Sequence, residues 1–114
     1  MNLIFHTKNH GGRYNLLSTL TACEGDYIAL LDGDDYWIDE SKLQKQIQML
    51  DQNLNYSICC HNAKVIKTYN NAIQTFENQI DKDTIYTTSC IIKEKWFIMT
   101  SSMVFRNPNP LPDW

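Results

Sequence analysis

Apolar positions along the chain change period several times, and each change marks a short element. Residues 2–5, Asn-Leu-Ile-Phe, read as the last part of a strand. A polar loop follows and closes on Gly11-Gly12, where positive φ permits a tight turn. Between residues 13 and 23, Leu16, Leu17 and Leu20 recur at helical spacing, and Gly25 supplies a stop. Tyr27, Ile28, Ala29, Leu30 and Leu31 then make an apolar run between Asp26 and Asp32. The run is too short for a helix and does not alternate, so it predicts a strand covered on both faces.

The run ends abruptly at Asp32-Gly33-Asp34-Asp35-Tyr36-Trp37. Asp39 or Ser41 can cap a helix reaching about Leu50, with Leu43, Ile47 and Leu50 along its apolar face. Residues 53–55 break it. Residues 56–66 are strand-like, most apolar at 57–60, and residues 68–84 read as a polar loop with at most a short hairpin. The ambiguous stretch 85–97 can hold a short helix around 89–93, and residues 99–106 read as a further strand. Asn107-Pro108-Asn109-Pro110 ends regular structure. Strand, helix, strand, helix, strand predicts an α/β layered fold with a mostly parallel sheet and flanking helices. The opening strand remnant and the uncovered apolar residues at 111–114 suggest a domain incomplete at both ends.

Composition adds limits more than detail. At 114 residues the chain is the size of one small domain, and 43% hydrophobic with 20% charged residues is ordinary for a globular protein. The net charge of -3 and the scattering of the 10 basic residues argue against nucleic acid as a partner. No run approaches the length of a transmembrane segment, and the N-terminus lacks the pattern of a signal peptide. Cys23, Cys59, Cys60 and Cys90 show no zinc-type spacing and are read as reduced thiols, most of them buried, in a cytoplasmic protein. Peripheral attachment to the inner face of the membrane is compatible with this reading.

Three carboxylates within four residues, directly after a buried strand, call for a physical reason. Unscreened like charges repel, whereas a divalent cation turns the same arrangement into a binding site. Magnesium takes one or two protein carboxylates and completes its octahedron with water and substrate phosphates. Ligands of open α/β sheets bind beyond the carboxyl ends of strands, where this turn lies. Gly33 allows the bend that lets Asp32 and Asp34 face the same way. Taken alone, an Asp-x-Asp triplet is more often a solvated turn before a capped helix.

The longer run changes that balance. Gly25-Asp26-Tyr27-Ile28-Ala29-Leu30-Leu31-Asp32-Gly33-Asp34-Asp35 resembles the signature segment of family-two glycosyltransferases, which have the GT-A (Rossmann-like) fold. Trp37-Ile38-Asp39-Glu40-Ser41-Lys42-Leu43-Gln44-Lys45-Gln46 resembles the stretch that follows it in one bacterial branch. The loop from Asn9 to Asn15, the segment with Cys60-His61-Asn62, and Thr100-Ser101-Ser102-Met103-Val104-Phe105-Arg106 fit the same branch. The resemblance implies that Asp34 ligates Mg²⁺ or Mn²⁺, with Asp32 sharing the metal or lying near the nucleotide ribose. Gly33, Arg13 and Asn15 fall on the donor side, Arg13 and Asn15 being offset by one residue from the family's Arg-Asn pair. Asp35 and Trp37 fall on the acceptor side.

The implied reaction moves a sugar from a nucleotide-diphosphate sugar, expected to be a UDP-sugar, to a hydroxyl of a glycan or lipid-linked acceptor, with inversion. The family's first βαβ half would precede Met1, and its general base would follow Trp114, so the catalytic base is unassigned. The rival reading is a catalytically inactive fragment or a carbohydrate-binding module of the same fold. A dehalogenase-type phosphotransferase and a calcium loop fit less well, because Tyr36 occupies a position that each needs for another residue. His6, His10 and His61 lack metal-motif spacing and are read as structural or solvated. For Arg106 a surface ion pair is favoured over a phosphate contact.

Overall fold

In the computed structural model Gly11 has φ 85°, the left-handed conformation that glycine adopts without steric cost, and the chain turns there into its first helix. Residues 3–69, 72–77, 80, 82–93, 98–108 and 110–111 are described. The order is α1 (Gly12–Thr21), β1 (Tyr27–Ala29), α2 (Lys42–Gln52), β2 (Ile58–Cys59), β3 (Lys64–Tyr69), β4 (Ala72–Glu77), α3 (Thr88–Lys93), a 3-10 turn (Thr100–Ser102) and β5 (Val104–Arg106). Contacts divide the chain into two units, Met1–Ile28 with Arg106–Trp114, and Ala29–Phe105.

In the first unit α1 is held by short-range polar bonds more than by an apolar face. Asn9 Oδ1 accepts the Gly11 N–H at 2.8 Å, and the Gly11 carbonyl accepts the Asn15 N–H at 3.2 Å. Ser18 and Thr19 hydroxyls both donate back to the Asn15 carbonyl. Leu17 and Leu20 are half-buried while Leu16 is exposed, so only part of the leucine pattern faces inward. His10 stacks on Tyr14 with centroids 4.5 Å apart, and His6 Nε2 lies 3.3 Å from Ser18 Oγ. The turn after α1 is closed by Asn107, whose amide donates to the carbonyls of Cys23 (3.0 Å) and Gly25 (2.8 Å). Arg106 is half-buried and donates to the Tyr27 hydroxyl at 2.8 Å. Leu3, Ile4 and Phe5 carry no strand, and all three are exposed. A strand needs a hydrogen-bonded neighbour, and among the described residues this segment has none. Asn2 lies outside the described residues.

The sheet order is β1-β5-β2. β2 pairs antiparallel with β5, Ile58 opposite Phe105 and Cys59 opposite Val104. In the second unit the Leu30 N–H donates to the Met103 carbonyl, and in the first the Asn107 N–H donates to the Asp26 carbonyl. Rising numbers on the β1 side therefore meet falling numbers on the β5 side, which is the antiparallel sense. This corrects the expected mostly parallel sheet for the described residues. β1 and β2 do run the same way, as a strand-helix-strand unit should, but the late apolar strand β5 enters between them. Its Val104 is 1% exposed, the signature of a central strand.

Within the second unit α2 buries Leu50 completely and leaves Leu43 and Ile47 half-buried. The rest of its inward face is Lys42 and Gln46, at i and i+4, instead of the apolar stripe alone. The strand-like stretch 56–66 resolves into β2 and the start of β3, separated by a loop. β3 and β4 form an antiparallel hairpin with Lys64 opposite Glu77 and Tyr69 opposite Ala72, longer than the polar composition suggested. α3 lies where a short helix was expected, and the expected strand at 99–106 is shortened because its first half winds into the 3-10 turn. All four cysteines are free, three of them half-buried and Cys90 exposed, so the expectation that most are buried fails. Burial pushes the Cys60 thiol up, which keeps it protonated.

Candidate functional site

The apolar run that opens at Tyr27 leaves the sheet after Ala29, because Leu31 is already exposed and the next four residues are polar. The Asp35 N–H donates to the Asp32 carbonyl at 3.1 Å, closing a four-residue turn with Gly33 and Asp34 at its centre. All three carboxylates are exposed. Asp32, Asp34 and Asp35 line an open cleft of about 830 Å³ together with Trp37, Lys42, Gln46, His61 and Ser101, among others. Sequence reasoning placed Asp32, Asp34, Asp35 and Trp37 in one site, and these four line one cleft. Arg13 and Asn15 are exposed on α1, in the other unit.

Hard oxygen donors on an exposed turn suit a cation that keeps part of its water shell. Among the described residues no three His, Cys, Asp or Glu side chains converge as a closed ligand set. One or two carboxylates, with the remaining positions left for water and phosphate, is the arrangement that Mg²⁺ uses. Asp32 and Asp34 are thus oxygen donors of the type that Mg²⁺ or Mn²⁺ would take there.

Beyond the turn the chain is pinned by Trp37 and Asp39. Trp37 Nε1–H donates to the Ser101 carbonyl at 2.9 Å, which fixes the indole where β5 is approached. Asp39 Oδ1 accepts both the Ser41 N–H and the Ser41 hydroxyl, and Oδ2 accepts Lys45 Nζ at 2.9 Å. The bonds from the Ser41 hydroxyl, Lys45 and the Ser41 N–H hold this carboxyl well below the usual carboxylate range. A depressed folded pKa stabilises above the unfolded value, near pH 4, and the contribution is lost as pH falls through the folded value. Asp39→Ala is therefore expected to loosen the first turn of α2 at neutral pH, and acidification below about pH 4 should do the same. Amide exchange at Leu43 and Gln44 checks both; unchanged protection in the variant would remove Asp39 as the start of the helix.

Sequence reasoning missed the polar cluster behind Trp37. The Gln46 amide donates to the Cys59 carbonyl and to the Ser102 carbonyl, both at 2.9 Å, and its Oε1 accepts Lys42 Nζ at 2.8 Å. Lys42 Nζ also lies 4.5 Å from the centroid of the Trp37 ring. Burial pushes the Lys42 ammonium down from its ordinary value. The signal available in sequence was the Lys-x-x-x-Gln spacing, which an apolar-stripe reading passes over. His61, on the cleft wall, is exposed with Nδ1 2.6 Å from the Asn62 carbonyl.

The family model described as Glycosyl transferase family 2 matches residues 1–109. The chain belongs to that family, whose fold is of the GT-A type. Uncharacterized proteins of Mycobacterium bovis and of two Mycobacterium tuberculosis strains are each 41% identical to it over 63 residues. The alignment covers 55% of this chain and 18% of each relative, so the chain spans less than a fifth of the curated relatives it matches. No solved structure matches. No helix among the described residues is long and apolar enough to cross a membrane.

Proposed function

We propose that this chain supplies the leaving-group half of a metal-dependent glycosyltransferase site, which transfers a sugar from a nucleotide-diphosphate sugar to an acceptor hydroxyl with inversion. Membership of the family supports the transfer, and one observation carries the site: the Asp32–Asp35 turn lies on the wall of an open cleft. Asp34 and Asp32 are the carboxylates that would hold Mg²⁺ or Mn²⁺. When bound there, the cation neutralises the charge that develops on a diphosphate leaving group.

The chain's own residues set the rest. Asp32 and Asp34 belong to one four-residue turn, closed by the bond from the Asp35 N–H to the Asp32 carbonyl. Asp32 would share that cation or lie near the ribose of the nucleotide. Asp35 and Trp37 are assigned to the acceptor side, and the bond from Trp37 to the Ser101 carbonyl fixes the indole on the cleft wall. The donor is proposed to be a UDP-sugar and the acceptor a glycan or lipid-linked hydroxyl compound, on the cytoplasmic side of a membrane.

Uridine diphosphate titrated by calorimetry tests the metal dependence directly. Binding is expected to be far tighter with Mn²⁺ than in EDTA. Equal affinity under both conditions would remove the metal from the reading.

A further inference from the structure

Lys42 is 4% exposed, and no carboxylate among the described residues is ion-paired with it. Its ammonium has three N–H groups. One goes to Gln46 Oε1, the ring of Trp37 covers another side, and no other acceptor among the described residues takes the remainder. Desolvating an ammonium is costly unless a charge of opposite sign compensates. A methionine would cover Trp37 and fill the same space without that cost, so packing alone does not explain a lysine here.

The acceptor that holds Lys42 is also unusually fixed. Both Gln46 N–H groups are taken by the Cys59 and Ser102 carbonyls, so the amide cannot turn its oxygen away from Lys42. The ammonium is thus held in place before any ligand arrives, which is how a binding group avoids reorganisation on binding. Lys42 and Gln46 both line the cleft that carries Asp32, Asp34 and Asp35.

From this we infer that Lys42 is an anion-binding residue of the cleft, held by Gln46 and Trp37 to meet a phosphate or diphosphate group of the ligand. The inference rests on the proposed donor cleft for its biological meaning, but the binding it describes does not require a metal. The diphosphate can belong to a nucleotide donor or to a phosphate-linked acceptor.

The test is calorimetric titration of inorganic pyrophosphate into the protein in EDTA. Lys42→Met is expected to weaken binding about tenfold, the usual scale for a charge-assisted hydrogen bond, whereas Lys93→Met, exposed on α3 and outside the cleft lining, leaves it within about twofold. If the Lys42→Met variant does not fold, Lys42→Gln makes the same comparison with the charge alone removed. Lys42→Arg, which keeps the cation, should retain most of the affinity.

A Lys42→Met or Lys42→Gln variant that is folded and binds like the wild type overturns the inference, as does a wild type that shows no pyrophosphate binding. If uridine diphosphate proves indifferent to Mn²⁺ while Lys42→Met still weakens pyrophosphate binding, the metal reading falls and the anion site stands. Displacement of pyrophosphate by uridine diphosphate assigns the site to the donor; displacement by farnesyl phosphate alone assigns it to the acceptor, and either upholds Lys42.

Discussion

Replacing Gln46 by Leu is expected to cost about 3–5 kcal/mol of stability, close to the scale of breaking a buried polar network by removing one partner. Gln46 is 5% exposed and makes three hydrogen bonds. Leucine matches its size but leaves the Cys59 and Ser102 carbonyls and the Lys42 ammonium without that partner. A buried group stripped of its partner loses its solvation in water and regains nothing, at about 1–3 kcal/mol each and more for a charge. The apolar gain from leucine is smaller, on the order of 1–2 kcal/mol. A domain of this size has about 5–15 kcal/mol in total, so a large share is at stake. Urea unfolding checks this, with Gln44→Leu as the control. Gln44 is exposed on the same helix, and its substitution should fall within about 0.5 kcal/mol of the wild type. A Gln46→Leu midpoint equal to that of the control would show that the network contributes nothing.

What could be read from the sequence follows from which forces are local. The left-handed turn at Gly11, the end of the strand before Asp32, and the start of α2 after Asp39 depend on neighbours a few residues apart. Each was legible, and α2 begins one residue after Ser41. The family resemblance likewise rested on a contiguous block, and the match over residues 1–109 bears it out. Strand partners were not legible, because β5 reaches its place between β1 and β2 from dozens of residues away. Periodicity tells a strand from a helix but not which strand it will join. The mixed face of α2 was hidden for a related reason. Lys42 and Gln46 look like solvent positions until Cys59, Ser102 and Trp37 arrive to satisfy them. In the acidic turn the residue types were legible, as was their place after a strand, although only Ile28 of that strand is buried and the expected cover on both faces is not found. The cleft beside them is made from residues as distant as His61 and Ser101, which no local pattern announces.

Asp34→Ala is expected to weaken uridine diphosphate binding in the presence of Mn²⁺ by about a thousandfold, the several kcal/mol typical of a metal-to-phosphate interaction. The same change should leave the fold intact or slightly more stable. Asp34 is exposed between two other carboxylates on one short turn, so its removal relieves repulsion and uncovers no core. Opposite signs for binding and stability are the mark of a site kept for function at some cost to the fold. Asp32→Ala should lose less than Asp34→Ala if it shares the metal as a second ligand, and Asp35→Ala less again, since its assigned place is toward the acceptor. Mn²⁺ titration followed by electron paramagnetic resonance separates metal loss from nucleotide loss, because free and bound Mn²⁺ differ in signal whether or not a nucleotide is present. A folded Asp34→Ala protein that still binds Mn²⁺ and uridine diphosphate like the wild type would transfer the metal site to other residues. If instead Asp35→Ala gives the larger loss, the turn presents its other edge to the cation, and the donor and acceptor sides of the cleft exchange places.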